Sequence, residues 1–128
     1  MDHVFRFAID NIVLQDFLVE RALNSAYGIE LPADELTAYV RPLRLEGTAR
    51  ALLDLIKSSS PSMTNLDQIT IPSLLIWGEK DSWVSLDEGY KLEEELPNAK
   101  LAIISDSHHM PMITDAEAVN KFIVEFLR

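Results

Sequence analysis

From Asp10 to Tyr27 apolar residues fall at Ile12, Val13, Phe17, Leu18, Ala22 and Leu23. That spacing is one face of a helix, and Gly28 is placed to stop it. Pro32 suits the first turn of a short second helix through Asp34, Glu35 and Leu36 to Val40. The two acids sit at its positive end, and Pro42 is expected to end it. Ala49, Leu52, Leu53 and Ile56 predict a third helix over residues 46–58. Ser58-Ser59-Ser60-Pro61-Ser62 reads as a solvated connector.

Beyond that connector the pattern alternates. Ile69 to Trp77 is a nearly continuous apolar run ending at Gly78, as a strand buried on both faces would be, with Trp77 in the sheet core. Ser85 to Leu96 is amphipathic, with Ser85 as cap and Leu86, Tyr90 and Leu92 facing inward. Glu93-Glu94-Glu95 reads as its solvated face. Pro97-Asn98 turns the chain into a second short strand, Lys100 to Ser105. Thr114 to Leu127 is a closing helix, with Thr114 as cap and Ala118, Val119, Phe122, Ile123 and Phe126 along its core stripe. Strand, helix, strand, helix implies a parallel pair with a right-handed crossover, hence an α/β fold.

Composition narrows the function. The 128 residues suit one domain, and 48% are apolar, enough for a real core. Eleven basic against 21 acidic residues leave a net charge of −10. A phosphate-binding surface needs the opposite field, so nucleic acid and anionic membranes are disfavoured as partners. No apolar run approaches the roughly 18 residues of a membrane span, and Met1–Asp10 does not read as a signal peptide. There is no cysteine. Thiolate metal sites, disulfide scaffolds and cysteine nucleophiles are therefore excluded, and a reducing, cytoplasmic setting is expected.

In parallel sheets, ligands bind beyond the carboxyl ends of the strands. Two loops leave such ends here, Gly78 to Trp83 and Asp106 to Pro111. The first offers Asp81 and Glu79 as acids, the second His108 and His109 as imidazoles. A carboxylate beside an imidazole sets its tautomer and stabilises the imidazolium formed when the ring takes a proton. His108 and His109 as a metal pair are disfavoured, because neighbouring loop residues point apart. Ser82, Ser105 and Ser107 read as polar loop residues. Trp83, Met110 and Met112 either line a pocket or plug the sheet edge.

Residues 66–128 resemble the C-terminal end of the α/β-hydrolase fold: I-x-x-P-S-L-L-I-W-G-E-K-D, a helix, an aliphatic strand, H-M-P-M and a final helix. The resemblance implies that the chain is the C-terminal part of that fold. It would have a short parallel sheet with flanking helices over residues 63–128, and residues 1–62 would form N-terminal cap helices. It also implies Asp81 as the triad acid and His109 as the triad base, 109 − 81 = 28 residues apart. Trp83 and Met110 are the candidates for substrate binding. The sequence departs from the family where His108 replaces the usual glycine before the catalytic histidine. It also contains no G-x-S-x-G nucleophile elbow, since Gly28, Gly47, Gly78 and Gly89 include no pair four apart.

The expectation is a hydrolase of a small, largely apolar substrate such as an ester, needing no cofactor and no metal, with this chain carrying two of three triad members. The alternatives are a non-catalytic small-molecule binding or receptor protein on the same scaffold, or a self-associating fragment without activity. The strand at 69–77 would have one free edge. A homodimer through that edge or through the cap helices, or pairing with a missing N-terminal half, would cover it.

Overall fold

The computed structural model describes residues 16–58 and 64–128. They form two compact units: residues up to Asn24 together with those from Glu30 to the end of the third helix, and Ser25–Ile29 together with residues 64–128. The expected helix start at Asp10, with Ile12 and Val13, and the connector over residues 59–62 lie outside the described residues.

The first helix, α1 (Asp16–Tyr27), stops at Gly28, whose φ of +72° is the left-handed geometry that only glycine adopts cheaply. Its half-buried stripe runs through Leu18, Val19, Ala22 and Leu23, and Phe17 is 58% exposed. The buried face is centred one residue later than the sequence pattern suggests. Next, α2 (Ala33–Leu43) half-buries Leu36, Val40 and Leu43 at helical spacing. Pro42 lies inside its last turn rather than ending it. A proline there removes a single late hydrogen bond, and the helix closes with Leu45 N–H donating to the Pro42 carbonyl at 3.2 Å. After Gly47 comes α3 (Thr48–Ser58), two residues later than the pattern predicts. Of its expected stripe, Leu52 is half-buried; the side chains of Ala49, Leu53 and Ile56 lie outside the described set.

In the second unit, β1 (Ser73–Gly78) starts only after Pro72. A proline has no N–H for a ladder, so pairing begins where Ser73 N–H donates to the Asn98 carbonyl at 2.9 Å. The apolar pattern reaches back to Ile69. Even so, Ile69 and Ile71 are exposed, and Leu66–Gln68 form a 3-10 turn. The chain continues through α4 (Leu86–Glu95), β2 (Ala99–Ile104), the single turn α5 (Pro111–Thr114) and α6 (Ala116–Phe126). The two strands are parallel, with Ser73 opposite Ala99 and Gly78 opposite Ile104. Both α4 and α6 pack against both strands.

As expected, α4 is capped by Ser85, whose Oγ accepts from Asp87 N–H. Its buried residue is Gly89, while Tyr90 is 45% exposed instead of facing inward. The reason is steric. The Gly89 Cα lies over the Trp77 ring and Leu101, so a Cβ there would stand 3.2 Å from indole carbons. The Trp77 indole N–H donates to the Val84 carbonyl at 3.0 Å, which fixes the ring under the helix. The start of α6 is also displaced: Asp115, not Thr114, is its N-cap.

Strand pairing leaves an asymmetric pair of edges. Ser73 and Glu79 donate toward β2. By alternation Leu74 and Ile76 therefore present their backbone groups to the other side, while the Gly78 carbonyl accepts Asp81 N–H at 3.2 Å. No strand pairs there among the described residues, and Leu74 to Trp77 are half-buried rather than buried. The outer edge of β2 is treated differently: Leu101 N–H donates to Glu93 Oε1 at 2.6 Å. Glu93 is thus half-buried and occupies a strand donor, unlike the solvated face expected of the acidic run.

Candidate active site

The loops that follow β1 and β2 are laced together by short contacts. Lys80 N–H donates to the Ser107 carbonyl at 2.7 Å. Asp106 N–H donates to Glu79 Oε2 at 3.0 Å. Lys80 pairs with Asp106 in the open, holding that carboxyl below its usual range. Gly78 permits this approach, because a Cβ on it would lie 2.1 Å from the His108 carbonyl oxygen.

The lacing brings Asp81 and His109 together. Asp81 Oδ2 lies 2.8 Å from His109 Nδ1, while Oδ1 accepts the N–H groups of Trp83 at 2.8 Å and Val84 at 2.9 Å. The carboxylate therefore cannot swing away without losing two backbone bonds. Its side chain is 7% exposed against 31% for the imidazole. Burial pushes the Asp81 carboxyl up. The bonds from Val84, His109 and Trp83 outweigh it and hold the group below the ordinary aspartate value. With Nδ1 occupied by the carboxylate, Nε2 is the ring nitrogen positioned to take and return a proton.

Trp83 stacks on the imidazole, with ring centroids 5.2 Å apart and planes inclined by 23°. Met110 is half-buried at the start of α5, its carbonyl taking N–H groups from Ile113 and Thr114. Met112 is 55% exposed. Glu79, the other candidate acid, is committed to Asp106 N–H and lies apart from the imidazole pair. His108 points elsewhere as well. Its ring covers Gly28, where a Cβ would come 2.1 Å from Nδ1.

Sequence reasoning missed the part played by Ser25–Ile29. Ala26 and Tyr27 are buried, the Ala26 carbonyl accepts His109 N–H at 2.9 Å, and Ser25 Oγ lies 3.1 Å from Ser82 Oγ. The end of α1 thus touches both site loops, and the one clue in the sequence was the helix-stopping Gly28. Ser107 was read as a polar loop residue, but it is 4% exposed and donates to Asp115 Oδ2 at 2.7 Å. With Thr114 on the same oxygen, this holds the Asp115 carboxyl below its usual range. Ser105 is exposed. Among the described residues no group of three His, Asp or Glu side chains is gathered as for a metal ion. No helix among them is long and apolar enough to cross a membrane.

A parallel strand pair with a helix crossover, carrying an acid and an imidazole on the loops at one end, fits the family that the comparison finds. The alpha/beta hydrolase fold matches residues 26–116, and the chain belongs to that family. It is similar to the 2-hydroxy-6-oxononadienedioate/2-hydroxy-6-oxononatrienedioate hydrolase of Cupriavidus pinatubonensis, 34% identical over 83 residues, which are 65% of this chain and 29% of that protein. The uncharacterized hydrolase YugF of Bacillus subtilis is 25% identical over 127 residues, 97% of this chain and 46% of its own length. The crystal structure of bromoperoxidase from Bacillus anthracis matches with a TM-score of 0.74 at 24% identity, over 97% of this chain and 47% of that one. The chain therefore spans less than half the length of these relatives.

Proposed function

We propose that this chain supplies the acid and the base of a hydrolase triad, with His109 as general base and then general acid and Asp81 as the residue that orients it. The supporting observation is the 2.8 Å Asp81–His109 pair with the second carboxylate oxygen held by two backbone N–H groups. In this reading a nucleophile carried by sequence outside these 128 residues gives its proton to His109 Nε2 as it attacks the substrate's electrophilic carbon. The imidazolium, stabilised by Asp81, returns that proton to the leaving group, and water repeats the cycle to free the enzyme. Residues 1–62 are assigned as the cap-like segment, and the substrate as a small, largely apolar molecule such as an ester, met in the cytoplasm. Trp83 and Met110 provide apolar contact beside the base. The names of the dienedioate hydrolases among the relatives favour a second substrate class, an oxo-dicarboxylate.

In the full-length protein, Asp81→Asn and His109→Ala should each lower kcat by about 10³- to 10⁴-fold. His108→Ala should stay within a few-fold of wild type. A larger loss from His108→Ala would swap the assignment. The 128-residue chain alone should not turn over a p-nitrophenyl ester; turnover that disappears on mutating one of its own serines would overturn the reading. A full-length protein that binds such compounds without turning them over would mark it as a binding protein instead.

A further inference from the structure

Ser107 stands two residues before His109 and is the polar residue buried among those described. Two ties leave it in different directions. Its carbonyl accepts Lys80 N–H at 2.7 Å, one residue before Asp81. Its Oγ donates to Asp115 Oδ2 at 2.7 Å, on the residue that begins α6. A third contact, Ser107 N–H to the Ile104 carbonyl at 3.4 Å, joins it to the end of β2. A hydroxyl bonded to a carboxylate forms a charge-assisted bond, stronger than a neutral one. A buried hydroxyl also has no water to fall back on if that bond is lost.

We infer that Ser107 is a positioning residue for the base: by tying the His109 loop at once to the Asp81 loop and to the head of α6, it sets the imidazole against the carboxylate. The inference rests on the Asp81–His109 pair acting as proposed above. Geometry carries it. The Ser107 peptide is held by its carbonyl on one side and its side chain on the other, so neither rotation nor translation of the His108–His109 segment is free. Thr114 provides an internal comparison. Its Oγ1 donates to the same Asp115 oxygen at 2.7 Å and also reaches the Met110 carbonyl at 3.2 Å, yet it carries no bond to the Asp81 loop of the kind the Ser107 carbonyl accepts from Lys80.

The test reads the proton shared between His109 Nδ1 and Asp81 by low-field proton NMR of the full chain, assigned by its disappearance in Asp81→Asn. In Ser107→Ala that proton should exchange with water about tenfold faster, while circular dichroism shows the helices intact. Thr114→Val removes a bond to the same carboxylate together with the Oγ1 contact to the Met110 carbonyl, keeps the Thr114 N–H bond to that carbonyl, and should leave the exchange within about twofold of wild type. Equal rates in Ser107→Ala and wild type, or equal acceleration in Ser107→Ala and Thr114→Val, would overturn the inference and leave the dyad standing. Should Ser107→Ala fail to fold, Asp115→Ala, which leaves Ser107 Oγ no acceptor there, decides: acceleration supports the tie, and a wild-type rate refutes it. A wild-type chain with no such proton would overturn the dyad itself, and the positioning role with it.

Discussion

Replacing Gly78 with alanine is the sharpest mechanical test of how the site is assembled. The new Cβ would sit 2.1 Å from the His108 carbonyl oxygen, 2.7 Å from that of Ser107 and 2.9 Å from the His108 carbonyl carbon. All three are backbone atoms of the loop that carries the base, so no side chain can rotate out of the way. Real Cβ atoms essentially never come closer than 3.0 Å to such neighbours, which makes the required displacement about 0.9 Å. Passed on in full, that stretches the 2.7 Å Lys80–Ser107 bond to about 3.6 Å, past the range of a hydrogen bond. The 2.8 Å Asp81–His109 pair lengthens in proportion. Overpacking and the lost bond cost about 2–4 kcal/mol, of which lower unfolded-chain entropy for alanine returns less than about 1 kcal/mol.

Urea unfolding followed by the fluorescence of Trp77 and Trp83 should therefore show a net loss of about 2 kcal/mol for Gly78→Ala. The full-length protein should lose about 10²-fold in kcat from misplacement of the base. Gly89→Ala is the control. The nearest atoms its Cβ would meet are side-chain carbons of Trp77 and Leu101, at 3.2–3.3 Å, which need give only a few tenths of an ångström, and α4 gains helix propensity, so near-neutrality is expected. A Gly78→Ala protein with unchanged stability and an unchanged Asp81–His109 proton would show that the loops are not held by this close approach.

The Asp81 carboxyl is depressed in the folded protein, so the charged form is the one that folding favours. Its contribution is complete above the unfolded aspartate value, about 3.9, and is lost as pH falls through the lower folded value. The stability gap between wild type and Asp81→Asn should accordingly close as pH falls below about 4; a gap as large at about pH 2 as at about pH 5 would contradict the geometry. The free edge of β1 at Leu74 and Ile76 is expected to draw a second copy of the chain. Sedimentation equilibrium at micromolar concentration should report a dimer, and a compact monomer near 14.5 kDa with sharp cooperative unfolding would refute it.

Amphipathic spacing alone placed the helices to within a few residues, because a buried face leaves a 3.6-residue period in any sequence that folds around it. The parallel strand pair was legible for a related reason: two short apolar runs separated by a capped helix admit few other arrangements. Boundaries were less legible wherever one residue's local chemistry overrode the pattern. Pro72 cut four residues from the front of the first strand, and Asp115 took the cap expected of Thr114.

The candidate dyad was readable as residue types on two loops, and the resemblance singled out Asp81 and His109, but local spacing alone did not choose among the partners. Asp81 against Glu79, and His109 against His108, depend on which backbone groups meet each side chain. Those meetings are set by Gly78 against the His108 carbonyl, by His108 over Gly28 and by Ala26 on His109 N–H. They join residues 30 to 83 positions apart, and no local period encodes such distances. The sequence by itself determined the fold class, the approximate placement of the helices and the two loops, because each follows from local spacing; the buried faces did not, since Tyr90, Ile123 and Phe126, expected to face inward, are exposed. Only the tertiary structure decided that Asp81 meets His109, that Glu93 occupies a strand donor and that Ser107 is buried on Asp115. Each of those outcomes depends on what the rest of the chain brings into hydrogen-bond range.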